Sequence, residues 1–186
     1  GDINFGGNAG DLPLNNVTNV YATNSAFAAL KTDGSVVTWG DKNNGGDSSN
    51  VTLNNITAIY ANAFAFAALN QAGSVITWGA STRGGDSSAV DLTHTVKVYS
   101  TIDAFAALKT DSSVTTWGQP NSGGDSSAIA LTNIVDIYAT NNAFAALKKD
   151  LTVVTWGHYE YGGDSHIVAD ALLPTTEIIV SDTNLL

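Results

Sequence analysis

Trp39, Trp78, Trp117 and Trp156 stand one every 39 residues, each followed by Gly and, five residues beyond that Gly, by Gly-Gly-Asp. A period this strict confines the chain to a repeat architecture, in which each unit buries its apolar face on copies of itself. Gly45, Gly84, Gly123 and Gly162 keep the same step, so no insertion interrupts the four units. Residues 1–7 repeat the pattern of 40–46, and residues 178–185 overlay 137–144 after a small insertion around Pro174. The half-unit from the glycine after Trp to the Val/Ile-Tyr strand therefore occurs five times, and the hairpin half ending in Trp four times. The sequence thus reads as a single repeat domain, 1–186, with an opening half-unit 1–25, units ending at the four tryptophans, and a terminal half-unit 157–186.

Each unit carries two short apolar runs. Ala26-Phe27-Ala28-Ala29-Leu30-Lys31 leads through Thr32-Asp33-Gly34-Ser35 into the β-branched run Val36-Val37-Thr38-Trp39. Asp-Gly between two such runs predicts a β-hairpin with a type I′ turn, which needs positive φ at both central residues. The later copies read Ala72-Gly73, Asp111-Ser112 and Asp150-Leu151, so the hairpin must be held by its neighbours as well as by its turn. The Ala-rich run is too short for a stable helix. Val51-Thr52-Leu53 and Ile56-Thr57-Ala58-Ile59-Tyr60 supply further strands, making three or four per unit, the size of a propeller blade. Phe27, Phe66, Phe105 and Phe144 recur in register with Leu30, Leu69, Leu108 and Leu147, a pattern that predicts core, and the indoles are expected to fill the gaps between blades.

The run Ala29-Leu30-Lys31-Thr32-Asp33-Gly34-Ser35-Val36-Val37-Thr38-Trp39-Gly40, preceded by Val20-Tyr21-Ala22 and followed by a four-residue tip and Gly45, resembles the repeat of the regulator of chromosome condensation superfamily. The similarity runs through the whole chain and implies an all-β, β-propeller-like fold. Three departures stand out. The family's Gly-Gln-Leu-Gly is replaced by Gly45-Gly46-Asp47-Ser48, and its repeat His is absent, with Ser25 in its place in the first unit. The unit is also shorter than in the eukaryotic nucleotide-exchange members and closer to short bacterial repeats such as those of the propeller-type β-lactamase inhibitory protein. The resemblance gives no support to exchange-factor activity. About four and a half units also fall short of the seven blades of familiar members. Three arrangements remain open: a ring closed by a thin fifth blade, a piece of a longer array, or open ends covered by a neighbouring copy, head to tail.

Composition narrows the function. A chain of 186 residues with 44% hydrophobic content fits one soluble globular domain, and no run of 18 apolar residues predicts membrane insertion. The missing initiator Met and signal sequence suggest a processed chain or a fragment. Seven basic against seventeen acidic side chains, a net charge of −10, argue against nucleic acid or anionic lipid as partner. Cys and Met are both absent, which suits an extracellular or cell-surface life, here expected on a bacterium.

Asp47, Asp86, Asp125 and Asp164 are the acidic residues in strict register. Beside backbone carbonyls and a hydroxyl they suit either a Ca²⁺ shell, which needs six to eight oxygens, or an Asx-type turn. Asn8 in the same slot of the opening copy favours the turn, and no cofactor is expected. His94, His158 and His166 fall at different phases of the repeat, and no nucleophile or phosphate-binding motif is present, so an enzyme is not expected. The tips between Trp-Gly and Gly-Gly differ in every copy. Phe5, Lys42, Asn43, Arg83, Gln119, His158, Tyr159 and Tyr161 are their candidate binding residues, since a rigid frame with variable tips is how repeat proteins present a binding face. Two functions follow: a structural or adhesive protein that self-assembles into a filament or composite ring, or a module that binds protein or glycan through its tips.

Overall fold

The computed structural model describes residue 2 and residues 6–164; Phe5, His166 and the strand expected over 178–185 lie outside them. Each unit forms one antiparallel three-stranded sheet. Blade 1 holds β1 (Val17–Ala22), β2 (Ala26–Lys31) and β3 (Val36–Gly40), and blade 2 holds β4 (Ile56–Ala61), β5 (Ala65–Asn70) and β6 (Val75–Gly79). Blade 3 holds β7 (Thr95–Ser100), β8 (Ala104–Lys109) and β9 (Val114–Gly118), and blade 4 holds β10 (Ile134–Ala139), β11 (Ala143–Lys148) and β12 (Val153–Gly157). The Ala-Phe-Ala-Ala-Leu strand is central in every sheet.

Alternation along that central strand divides the core between two seams. Ala26, Ala28 and Leu30 leave blade 1 on its trailing face and pack on Ile56, Ile59, Phe66, Ala68 and Trp78 from the leading face of blade 2. The same residue types meet between blades 2 and 3 and between blades 3 and 4. The alanines let two sheets approach, and the Phe of the following blade fills the remaining space; burying such a ring stabilises by about 1.5–3 kcal/mol. First strands of successive blades touch, β1 with β4, β4 with β7 and β7 with β10, so they form the inner edge of an arc. Among the described residues the four sheets do not close into a ring.

Two local expectations are corrected. The hairpin turn is not type I′: Gly34 alone has positive φ, its N–H donates to the Lys31 carbonyl at 3.0 Å, and the Lys31 N–H donates to Ser35 at 2.9 Å. This is a type I turn closed by a left-handed bulge residue. The Asp33 carboxylate accepts the Ser35 N–H at 3.0 Å and its hydroxyl at 2.6 Å, which keeps Asp33 at negative φ. Gly73, Ser112 and Leu151 take the left-handed slot in later blades, so the turn survives the loss of Asp-Gly. The second correction concerns Val51–Leu53, which forms no strand. Both apolar side chains of that segment are drawn into the seam between blades 1 and 2, so it packs as a wedge without pairing.

Candidate binding face

Every seam is closed by the same three residues. Phe and Trp on paired strands stack with centroids 5.1–5.2 Å apart in all four blades. Each indole N–H reaches back one unit to the first glycine of Gly-Gly: Trp39 to the Gly6 carbonyl at 3.1 Å, Trp78 to Gly45 at 3.0 Å, Trp117 to Gly84 at 3.0 Å, and Trp156 to Gly123 at 3.1 Å. That glycine is obligatory. At Gly45 φ is +97°, and an added Cβ would stand 2.5 Å from the Phe66 ring.

Three of these bonds fix the exit of a tip, at Gly45, Gly84 and Gly123. Residues 42–44, 81–83, 120–122 and 159–161 each form one 3-10 turn, entered through an extended residue and left through the left-handed glycine. In blade 1 the Asp41 carboxylate also caps the Asn43 N–H at 2.8 Å. Each tip is tied to the loop between the first two strands of its blade: Thr23 donates to the Asn44 carbonyl at 3.1 Å, Asn62 to Arg83 at 2.7 Å, Thr101 to Ser122 at 2.9 Å and Thr140 to Tyr161 at 3.0 Å. Neighbouring loops are linked in turn through backbone alone. Asn24 N–H donates to Ala63 at 2.9 Å, Ala63 to Ile102 at 3.1 Å, and Ile102 to Asn141 at 2.8 Å. Tips and loops therefore share one end of the arc on a continuous main-chain frame. Sequence reading missed Thr23, Asn62, Thr101 and Thr140, although their regular spacing was there to find them.

On that end the candidate residues divide by role. Lys42 and Asn43 are exposed, and Gln119 is half-buried where its tip begins. Arg83 is turned along the surface, its guanidinium paired with Asp103 of blade 3 and 4.3 Å over the Phe64 ring, so it braces two blades. His158 is half-buried, stacked on Tyr159 at 5.4 Å and meeting Tyr161 edge-on at 4.9 Å. Tyr159 and Tyr161 keep 68% and 54% of their surface exposed. The fourth tip is an aromatic cluster that the other three lack.

The Asp residues of the repeat serve their turns. Asp47, Asp86 and Asp125 accept the N–H of Ser49, Ser88 and Ser127 at 2.9 Å, and these bonds hold each carboxyl below its usual range. Asp164 is the last described residue. Among the described residues no three acidic or His side chains gather as metal ligands. His94 lies in the linker before β7, paired through its carbonyl with the Thr110 N–H beside a hairpin turn, at the end of the arc opposite His158.

One polar cluster was invisible in the linear sequence. Tyr99 on β7 donates to the Asp136 carboxylate on β10, and Lys97 lies 3.6 Å from that carboxylate and 4.5 Å from the Tyr99 ring centre. The Tyr99 bond lowers the Asp136 pKa, while burial, then the bond to Asp136, raises that of Tyr99. It is an inner-edge clasp between blades 3 and 4.

The sequence matches no protein-family model and no curated protein. Solved structures do match over 76% of the chain: Prp20p from Saccharomyces cerevisiae (20% identity, TM-score 0.53), the ectodomain of the Physcomitrella patens receptor kinase CR4 (18%, 0.56) and human WBSCR16 (16%, 0.51). The fold is that of a regulator of chromosome condensation-like propeller. The chain spans only 43%, 40% and 47% of the length of those three proteins. The described residues form four blades of that fold, whose tip end is organised by the Trp–Gly bonds at the first three tips and by the backbone relay between loops.

Proposed function

We propose that this chain is a non-catalytic, protein-binding propeller arc that meets its partner with the tip end, centred on Tyr159 and Tyr161 of the fourth blade. The observation that carries this reading is the contrast between frame and tip. The indole bonds of Trp78, Trp117 and Trp156 hold the exits of the first three tips at 3.0–3.1 Å, the fourth tip keeps the same 3-10 turn and is tied through Thr140, and the residues at the four tips differ in every blade. Exposed tyrosines on a rigid turn are the residue type and setting of interface hot spots, because they offer large contact area at little cost in conformational entropy. Prp20p has been described with its binding to Gsp1p and histones, and yeast RCC1 (Prp20) has been crystallised with Kap60 bound; protein partners for this propeller type support a protein ligand here. The absence of Cys and Met and the net charge of −10 support a place outside a bacterial cell, in keeping with the short repeat. Ca²⁺ has no part in this reading.

Panning a displayed-peptide library and a glycan array on the immobilised chain tests it. Peptide capture that is lost in Tyr159→Ala and Tyr161→Ala at unchanged melting temperature supports the reading. Capture that survives both substitutions, or glycan capture alone, overturns it.

A further inference from the structure

At the end of the arc opposite the tips, the linker that enters blade 2 runs between two hairpin turns, and a hollow opens on each side of it. One, of about 250 Å³, is lined by Asp33, Gly34 and Ser35 of blade 1 with Leu53, Asn54 and Asn55 of the linker. The other, of about 310 Å³, is lined by Asn54 and Asn55 together with Asn70, Gln71 and Ala72 of blade 2. We propose that this carboxamide-lined groove between blades 1 and 2 is a binding site for a neutral saccharide, separate from the tip face.

Backbone bonds make the groove rigid. The Asn55 carbonyl accepts the Gln71 N–H at 3.0 Å, and the Ile56 N–H donates to the Gly34 carbonyl at 3.0 Å, so the linker is pinned to the turns of both blades. Asn55 itself stands at φ 53°, a left-handed conformation that Asn tolerates better than most residues. Asn70 is fixed through its side chain. Its Oδ1 accepts the N–H groups of Ala72 at 3.0 Å and Ser74 at 2.9 Å, which sets the plane of the carboxamide and the direction of its two Nδ2 donors. The carboxamides of Asn54, Asn55 and Gln71 make no bond to a described residue. A ligand therefore meets one oriented donor pair and three further amides on a frame that is already ordered, which lowers the cost of binding.

The lining selects the ligand class. At the positions of Asn70, Gln71 and Ala72 the other blades carry Lys31-Thr32-Asp33, Lys109-Thr110-Asp111 and Lys148-Lys149-Asp150. Blade 2 thus replaces an ionic turn by a neutral one, and its linker has Asn54-Asn55 where the later linkers have Thr93-His94 and Thr132-Asn133. At the next seam the lysine is engaged with its own linker, Lys109 lying 3.2 Å from the Asp91 carboxylate. Asp33 is the one ionised residue in the lining of the groove, and its carboxylate already accepts the Ser35 N–H and hydroxyl. No Lys or Arg is among the lining residues to hold an anion, and only Leu53 and Ala72 offer apolar surface, too little to anchor a hydrophobic side chain. A carboxamide presents an acceptor and two donors in one plane. That pattern matches hydroxyl groups on adjacent ring carbons, which both give and take hydrogen bonds. Each hollow is larger than the cavity of about 150 Å³ that takes a benzene ring, and the two share Asn54 and Asn55, so the groove has room for two linked sugar rings.

Heteronuclear NMR of the isotope-labelled full chain tests the proposal, by titration with cellobiose, maltose, lactose and mannobiose and, as charged controls, with glucuronic acid and glucosamine. At least one neutral disaccharide should shift the side-chain amide signals of Asn54, Asn55, Asn70 and Gln71 and saturate in the millimolar range, and the controls should not. Asn70→Lys, Gln71→Thr and Ala72→Asp made together give blade 2 the turn of blade 1, Lys31-Thr32-Asp33-Gly34-Ser35, a sequence this fold already accommodates. That variant should keep its melting temperature and bind the sugar at least about tenfold more weakly. Gln71→Ala, a change at an exposed position, should weaken binding in the same sense. Tyr159→Ala should leave it unchanged, so failure of this site and failure of the tip reading are told apart. The proposal is overturned if no neutral disaccharide shifts those four residues or if the charged controls bind as tightly. It is overturned equally if binding survives the rebuilt turn or Gln71→Ala at full strength, or is lost in Tyr159→Ala.

Discussion

Among the described residues blades 2 and 3 have a whole blade on both faces, and blades 1 and 4 on one, yet all four carry almost the same residues on the same strands. Ile59 and Ile137 are nearly fully buried where Val20 is open, and Tyr138 is 59% exposed where Tyr60 and Tyr99 pack into a seam. The comparison teaches that a blade of this repeat is half of two cores and has none of its own. Its stability is therefore a nearest-neighbour property, and identical substitutions must cost different amounts in the middle and at the ends.

The largest break in that comparison should come from Phe105→Ala in blade 3, expected to cost about 3–5 kcal/mol in urea unfolding. The same change at half-buried Phe27 should cost roughly half as much, since solvent already reaches that ring. Equal costs would mean that the end seam is as tight as the inner ones. Next comes a glycine pair. Gly84→Ala drives a Cβ to 2.5 Å from the Phe105 ring and should cost at least about 3 kcal/mol, strain and overpacking together. At Gly162, where no described atom lies within 4 Å of an added Cβ, the same substitution should cost only the left-handed backbone penalty of about 1–2 kcal/mol. Denaturant midpoints of the two variants measure the difference directly. Smaller, and of opposite sign, Leu151→Gly should stabilise blade 4 by about 1 kcal/mol, because an exposed leucine at φ 68° is replaced by a residue at ease there. A lower melting temperature for that variant would show that Leu151 makes contacts worth more than its strain.

Acid should act least selectively. Asp33, Asp47, Asp86, Asp111, Asp125 and Asp150 have lowered pKa values through bonds to residues two positions on, and the Thr93 N–H, first among several donors, brings Asp91 to about 2. A depressed folded pKa means that the unfolded chain binds more protons in acid, so this stabilisation is complete above the unfolded value of about 4 and is lost as pH falls toward 2. Melting temperature should be level from pH 7 to about 4.5 and decline below it, in inner and end blades alike, because these turns occur in all of them. A decline that began near pH 6 would point to histidine instead.

Much of the fold was legible because a strict repeat writes each contact several times. Phe, Trp and the first glycine of Gly-Gly recur at one spacing, and the seam joins those three. The turn type was misread because Asp-Gly serves two hairpin geometries, and the choice depends on the bond from Asp33 to Ser35. The strand expected at Val51–Leu53 failed for a tertiary reason: the seam claims both its apolar side chains. At the tip end, the exposure of Lys42, Asn43, Tyr159 and Tyr161 followed from their variability, whereas the bracing role of Arg83 depends on Asp103 in another blade. The Tyr99–Asp136 clasp and the bonds joining Asn24, Ala63, Ile102 and Asn141 had no sequence signal, being either unique to one seam or made by backbone atoms indifferent to side chain.

That indifference has a genetic consequence. Because the relay from Asn24 through Ala63 and Ile102 to Asn141 uses only main-chain N–H and carbonyl groups, a duplicated or deleted period of the gene joins the series with its wiring already in place. Its side chains at these loops and at the adjoining tip are then free to diverge, and unequal recombination becomes a route by which such a protein changes what it displays without relearning how to fold.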